Sequence, residues 1–265
     1  MTDLSASAAL ALATEAAREA GTLLLELRRS PATGIRSKSS ATDLVSEADE
    51  RAERAIVTAI RTRRPDDALV AEEGSSARGS SGVSWYVDPL DGTINYLYGI
   101  PHWSVSICCA DAEGPLAGVV FDPMRDELFS AARGGGAHLG DRRLAITDKR
   151  DLASALIATG FGYVAAQRAT QGRIIAKVLG HVRDVRRFGS AALDLSWVAA
   201  GRYDGYFESV ENPWDWMAGA MFVREAGGQV TQLEPKDPAF PRIIASGPGV
   251  HDDLVTLLAR AIAGA

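Results

Sequence analysis

The sequence predicts a mixed fold, part α+β and part α/β. Three observations carry that expectation: two helical patterns open the chain, four strand signals follow in series, and strands and helices alternate beyond Leu152. From Leu4 to Arg29, apolar residues such as Leu12, Leu23, Leu24 and Leu27 recur at helical spacing until Ser30-Pro31 stops them. A polar loop, Thr33 to Thr42, precedes a second helix from Ser46 to Arg64. In that helix Ser46 and Asp49 resemble a capping box and Ile56, Val57 and Ile60 supply the buried side. Ala68 to Ala71 reads as a short strand ending at Glu72-Glu73, and the Gly/Ser-rich stretch Gly74 to Gly82 as a mobile surface loop.

Strand signals at Trp85–Val87, Val105–Cys109, Leu116–Phe121 and Glu127–Ala131 suggest one antiparallel sheet laid against the two helices. The second half alternates. Strands are expected at Ala155–Thr159, Val182–Arg186, Gly205–Phe207, Gln229–Gln232 and Ile243–Ser246. Helices are expected at Gln167–Leu179, Ser190–Ala200, Trp214–Glu225 and Asp252–Ile262. The seam falls near Thr147 to Leu152, dividing an N-terminal half (1–147) from a C-terminal half (148–265). No linker lets the halves move freely, so one compact unit is expected.

With 265 residues, 46% of them hydrophobic and 23% charged, the chain has the balance of a globular enzyme rather than of a disordered segment. A formal charge of −6 disfavours a broad basic surface for nucleic acid. Cys108 and Cys109 are adjacent in an apolar strand, where their side chains point to opposite faces, so neither a disulfide nor a cysteine zinc site is expected; this suits a cytoplasmic protein. The Ala/Leu-rich start continues through Glu15, Arg18 and Glu19 as an amphipathic helix, with Asp3 where an export signal would be basic. No run of apolar residues is long enough for a membrane span.

The chemistry concentrates in Trp85-Tyr-Val-Asp88-Pro-Leu90-Asp91-Gly92-Thr93-Ile-Asn95-Tyr96, where a hydrophobic strand runs into two carboxylates and a glycine. A tight turn at the strand end would aim Asp88 and Asp91 at one point. At an effective dielectric of about 20 they would repel by several kcal/mol unless a cation lay between them. Oxygen-only ligation implies Mg²⁺, or Mn²⁺ as a substitute. Gly92 and Thr93 offer backbone N–H groups beside it for a phosphate oxygen. Taken alone, the segment also reads as an Asp-Gly turn. Further acids come from Glu72-Glu73, otherwise a solvated loop, and from Asp215 between two tryptophans, otherwise a helix-dipole partner.

Lys38, Asp43-Leu-Val-Ser46-x-x-Asp49, Ala71-Glu72-Glu73, Trp85-x-Val-Asp88-Pro-Leu90-Asp91-Gly92-Thr93-x-Asn95-Tyr96, Gly189-Ser190-Ala191-Ala192, Trp214-Asp215-x-x-Ala218-Gly219 and Glu225-Ala226-Gly227-Gly228 together resemble the inositol monophosphatase family, in order from about residue 36 to the end. Bacterial members are nearest in texture, through Arg186 to Asp194. The resemblance implies a layered αβαβα sandwich, a homodimer and lithium sensitivity. It also implies that Glu72, Asp88 and the Leu90 carbonyl hold one Mg²⁺, and that Asp88, Asp91 and Asp215 hold a second. A third, weaker ion would sit near Glu72. Thr93 and Asp49 would polarise the attacking water, Gly92 and Thr93 bind phosphate, and Gly189, Ser190, Ala191, Glu208 and Asp91 face the substrate. Gly74 and Ile94 depart from the family pattern without removing a proposed ligand; third-metal affinity and rate are the properties these departures would alter.

The expected activity is Mg²⁺-dependent hydrolysis of inositol 1-phosphate or a related small sugar or cyclitol phosphate by metal-activated water. Histidinol phosphate and fructose 1,6-bisphosphate are the alternative substrates, with 3′-phosphoadenosine 5′-phosphate last. An alternative of another class is a regulatory protein that binds an RNA or transcription partner on the same fold. Lys38 reads as a solvated loop lysine rather than a catalytic one. Gly134-Gly135-Gly136 reads as a hairpin turn, because no Lys-Ser or Lys-Thr follows it. His102, His138, His181 and His251 lack metal-ligand spacing and read as surface or packing residues. The run Arg183 to Arg187 reads first as solvated surface, with a pocket rim or a contact for an RNA or polymerase partner as alternatives.

Overall fold

The computed structural model describes residues 4–30, 32–38, 44–234 and 237–263. Asp3, Pro31 as a helix stop, residues 39–42 of the polar loop and Asp43 lie outside the described residues.

Helix α1 (Ala6–Leu27) starts at Ser5, whose hydroxyl accepts the Ala8 amide at 3.2 Å, and buries a run of small residues including Ala9, Ala13, Ala16, Ala17 and Ala20. Those small side chains let the helix lie close to the sheet: a Cβ on Gly21 would meet the Phe121 ring at 2.6 Å. Where a loop was expected, β1 (Arg36–Ser37) pairs antiparallel with β2 (Leu44–Val45). Helix α2 (Glu47–Arg63) begins with the capping box foreseen at Ser46 and Asp49.

Strands β3 (Ala68–Ala71), β4 (Ser76–Ala77) and β5 (Ser84–Asp91) follow, then the short α3 (Thr93–Leu97). The meander β6 (Ser104–Asp111), β7 (Gly114–Asp122), β8 (Glu127–Ala132), β9 (Gly136–Leu139) and β10 (Arg142–Arg143) completes an eight-stranded sheet of order β10-β9-β8-β7-β6-β5-β3-β4. The four strands expected to form an antiparallel sheet do so as β5 to β8, and the sheet extends past them to β3, which runs parallel to β5 with the β4 segment between them. Gly74 to Gly82, expected as a mobile loop, is not a free loop: β4 pairs with β3, and Gly79 lies so near the Ala68 amide that a Cβ would sit 2.2 Å from it. The triple glycine is a hairpin turn, its Gly134 and Gly136 amides both donating to Glu225 at 2.8 Å.

After a 3-10 turn at Leu152–Ser154 come β11 (Leu156–Thr159), α4 (Ala165–Val178), β12 (Asp184–Arg186), α5 (Ala191–Ala199), β13 (Gly205–Glu208), α6 (Pro213–Glu225), β14 (Gln229–Gln232), β15 (Ile243–Ser246) and α7 (His251–Ala263). The second sheet has order β12-β11-β13-β15-β14, parallel around β11 and antiparallel around β15.

The buried clusters show the layering. One joins α1 and α2 to the large sheet through Leu24, Ile56, Trp85 and Trp103. The second packs α5 and α6 between the sheets through Leu195, Phe222, Phe129 and Tyr206. The third seats α4 and α7 on the outer face through Ile174, Ile157 and Leu254. This is an αβαβα sandwich. Cys108 and Cys109 are both free and buried, and they point into the second and first clusters respectively, as strand alternation requires. Among the described residues no helix is long and apolar enough to cross a membrane.

Candidate functional site

At the end of β5 the ladder with β6 pairs Asp88 with Ser106 and Asp91 with Ser104, so three steps on one strand match two on its partner. A regular strand would send residues three apart to opposite faces; the bulge at Pro89-Leu90 brings both carboxylates to one cleft. The turn expected there is therefore a bulge within the strand. Asp88 is 2% exposed, and its Oδ1 accepts the Leu90 amide at 2.9 Å. Asp91 Oδ2 accepts the Ser190 hydroxyl at 2.6 Å and the Ala192 amide at 2.8 Å, so the start of α5 is tied to β5 through this carboxylate.

Gly92 follows at φ +93°, where a Cβ would lie 3.1 Å from the His102 carbonyl. Thr93 then opens α3, its hydroxyl within hydrogen-bonding distance of Asp49 Oδ1 at 2.9 Å and the Leu90 carbonyl at 3.0 Å. Asn95 donates to the His102 and Phe188 carbonyls, both at 2.7 Å, binding the halves together.

From the parallel neighbour β3 come Glu72 and Glu73, with Lys38 between them at 2.8 and 2.6 Å. Sequence reasoning left Lys38 in solvent; the structure places it in the cleft, where the two glutamates hold its charge against the pull of burial. Buried Glu53, one turn after Asp49 on α2, accepts the Glu73 and Ser75 amides at 2.6 and 2.9 Å and so fixes the loop after Glu72. Its signal was its i+4 spacing from Asp49 on the apolar face. Asp215 sits in the first turn of α6, where Pro213 supplies the first helical position.

Glu208 ends β13 and accepts the Tyr206 hydroxyl at 2.9 Å. Gly160 makes room for it, since a Cβ there would overlap the Glu208 carboxylate. Together Lys38, Glu72, Asp88, Leu90, Asp91, Gly92, Thr93, Gly189, Ala191, Glu208 and Asp215 line one cleft of about 430 Å³. Ser190 lies just behind, fully buried. Sequence reasoning missed several further lining residues, among them Phe161, Tyr163 and Gln167, and put solvated surface ahead of a pocket rim for Arg187, which rims the cleft. The histidines lie outside the cleft: His102 and His251 are buried, and His251 bonds Ser246 and Thr231, both at 2.8 Å.

Electrostatically the cleft is a concentration of negative charge withdrawn from water. Burial, followed by Glu72, Asp91 and Asp215, pushes the Asp88 carboxyl well above the usual carboxylate range. Burial also raises Asp91 to about 7, opposed by the Ser190 and Ala192 hydrogen bonds. Asp215 moves up through burial and then Glu72 and Asp91. Among the described residues no three acidic, histidine or cysteine side chains already enclose a single point at ligand spacing. Glu72 is engaged by Lys38 and Asp91 by Ser190, so these carboxylates would reorient to take an ion. The donor chemistry fits a hard divalent cation: all oxygen, with mutual repulsion that a cation relieves.

A layered α/β sandwich with an acidic cleft where its two halves meet defines the class. Residues 6–263 match the model of the inositol monophosphatase family, and the chain belongs to that family of phosphatases. The Nus factor SuhB of Xylella fastidiosa is 42% identical over 235 residues, covering 88% of this chain and 84% of the relative. An inositol-1-monophosphatase of Mycobacterium bovis is 42% identical over 236 residues, covering 85% and 81%. The crystal structure of the extragenic suppressor protein suhB from Bartonella henselae superposes with a TM-score of 0.88 at 38% identity, covering 95% of this chain and 98% of that one.

Proposed function

We propose that the protein hydrolyses a small polyol phosphate monoester of the inositol 1-phosphate class in a Mg²⁺-dependent reaction. The observation that supports this reading most is the meeting of Glu72, Asp88, Asp91 and Asp215 from three separate stretches of chain in one cleft. Glu72, Asp88, the Leu90 carbonyl, Asp91 and Asp215 would hold Mg²⁺, two ions or three, with Asp88 shared; Mn²⁺ would substitute. When bound, Mg²⁺ supplies charge neutralisation for the phosphoryl oxygens and a lowered pKa for attacking water.

The chain's own groups do the rest. Asp49 holds the Thr93 hydroxyl at 2.9 Å, giving a fixed acceptor relay toward the water. The Gly92 and Thr93 amides receive a phosphate oxygen, which needs no reorganisation during transfer. Glu208, fixed by Tyr206, accepts substrate hydroxyls, and Gly189, Ser190 and Ala191 shape the same wall.

Both halves contribute to this site, which supports their acting as one catalytic unit divided near residue 148. Tyr98, Ile100 and Phe188 are 76%, 47% and 41% exposed around the His102 segment, an apolar surface suited to a homodimer contact. Buried free cysteines are compatible with a cytoplasmic setting.

Phosphate release with and without Mg²⁺, measured on inositol 1-phosphate, histidinol phosphate, fructose 1,6-bisphosphate and 3′-phosphoadenosine 5′-phosphate, tests the reading. Mg²⁺-dependent turnover, fastest on inositol 1-phosphate, is expected, with Li⁺ inhibiting. No release from any ester overturns it and favours a transcription-partner role, the second reading, which the SuhB-named relatives support.

A further inference from the structure

Two cations line the cleft among the described residues, and they are held differently. Lys38 is consumed by Glu72 and Glu73. Arg187 has neither a hydrogen bond nor an ion pair with any described residue. Its guanidinium instead lies 5.9 Å from the centre of the Phe161 ring. It folds back over Gly189, where a Cβ would stand 2.3 Å from Nη1. From there its field reaches two buried carboxyl groups, and among the described residues it is the one cation acting on Glu208 and on Asp194. Asp194 is 1% exposed, and neither of its oxygens has a hydrogen-bond partner among the described residues. A ring face beside it and two buried carboxyl groups within reach of its field thus favour the guanidinium at the cleft while its five N–H donors stay unspent.

The acids proposed to hold Mg²⁺ come from β3, β5 and α6, whereas Arg187 and Phe161 come from the loops after β12 and β11. The cleft, at about 430 Å³, has room for a polyol ring between the two groups. A planar fork with free donors beside an aromatic face recognises a phosphate or carboxylate oxygen pair better than it recognises a hydroxyl, which Glu208 already serves. We propose that Arg187 is a specificity-determining residue that binds a second anionic group of the substrate, distal to the phosphate that is cleaved. This rests on the phosphomonoesterase reading above, and it adds to that substrate class polyol phosphates carrying a further phosphate or carboxylate, as its more tightly bound members.

The test compares wild type with Arg187→Ala and Arg187→Lys in the presence of Mg²⁺, using two matched pairs: inositol 1-phosphate against inositol 1,4-bisphosphate, and inositol 1-phosphate against fructose 1,6-bisphosphate. Affinity is read calorimetrically and as KM or competitive Ki. In wild type at least one bisphosphate should bind about tenfold more tightly than the monophosphate, the factor expected for a charged hydrogen bond. Arg187→Ala should abolish that preference with kcat on inositol 1-phosphate changed less than about twofold, and Arg187→Lys should restore part of it. No bisphosphate preference in wild type, or a preference that survives Arg187→Ala, overturns the proposal. Absence of phosphate release from every ester would refute the hydrolase reading instead, and the calorimetric comparison would still decide the role of Arg187.

Discussion

Thr93 and Asp49 meet at 2.9 Å although 44 residues separate them, and the second oxygen of Asp49 closes the cap of α2 by accepting the Ser46 amide at 2.9 Å and hydroxyl at 2.6 Å. One buried carboxylate therefore serves both a helix end and the cleft. Asp49→Asn should separate the two roles. The amide keeps one acceptor oxygen, so the helix loses about 1 kcal/mol of capping, while turnover should fall by about 10²-fold or more if the Thr93 hydroxyl relays the water proton. Thr93→Ala should match the loss in kcat and Thr93→Ser should recover most of it. Thermal melts and steady-state phosphate release check both; an Asp49→Asn enzyme with wild-type kcat would remove Asp49 from the reaction.

Asp91 offers a cleaner contrast between stability and function. Its carboxylate is stranded beside other acids, and its Oδ2 contacts with Ser190 and Ala192 could be kept by the oxygen of an amide. Asp91→Asn should melt no lower than wild type in EDTA, because a repulsive charge is gone. Wild type should gain melting temperature when Mg²⁺ is added, by linkage to binding, and the variant should gain much less and lose most of its turnover. An equal Mg²⁺-induced rise in both proteins would take Asp91 out of the ligand set.

These two residues also show what was legible in the sequence. The Ser46/Asp49 cap was readable because a capping box is local, needing only a spacing of three. The layering was implied by the family resemblance, whereas the individual helices and strands were readable because they carry clean periods, and β3, β14 and β15 fall on the expected residues. The convergence of Asp88 and Asp91 through a bulge was not, since a register shift depends on which residues of β6 lie opposite. The parallel pairing of β3 with β5 was hidden for the same reason, as was β4, two residues long in a Gly/Ser stretch. Arg187 looked like one of several surface arginines. Only its neighbours sort it from Arg183, which donates to the Ser154 carbonyl, and Arg186, which pairs with Asp184.

His102 makes acid sensitivity testable away from the carboxylates. It is 4% exposed, its Nε2 is buried without a partner, and its ring packs 5.1 Å from Phe188 and 5.3 Å from Trp197. Burial, with a smaller push from Arg125, lowers its pKa to about 4. The unfolded chain would protonate this residue near about 6.5, so its contribution is fully present above that pH and is lost as pH falls toward the folded value. The loss should reach about 3 kcal/mol at the acid end. His102→Phe keeps an aromatic ring without the titration. The urea midpoints of wild type and variant should therefore diverge between pH 7 and pH 4.5, with the variant losing less. Parallel declines would show that His102 is accessible to protons in the folded state.

Glu208 depends on Gly160 for its position. A Cβ at residue 160 would overlap the Glu208 carboxylate, which is the far end of a flexible side chain, so Gly160→Ala should move that carboxylate rather than the backbone of β11. Gly160 has no positive φ, and the substitution itself adds no strain there. Displacement breaks the 2.9 Å bond from Tyr206, leaving a fully buried hydroxyl unpaired at a cost of about 1–3 kcal/mol. If Glu208 orients substrate hydroxyls, Gly160→Ala should raise KM for a polyol phosphate several-fold and leave KM for 4-nitrophenyl phosphate, which has no hydroxyls to read, nearly unchanged. Glu208→Gln should give the same pattern with a smaller loss of stability. Equal rises on both esters would mean that residue 160 shapes the phosphate end of the cleft instead.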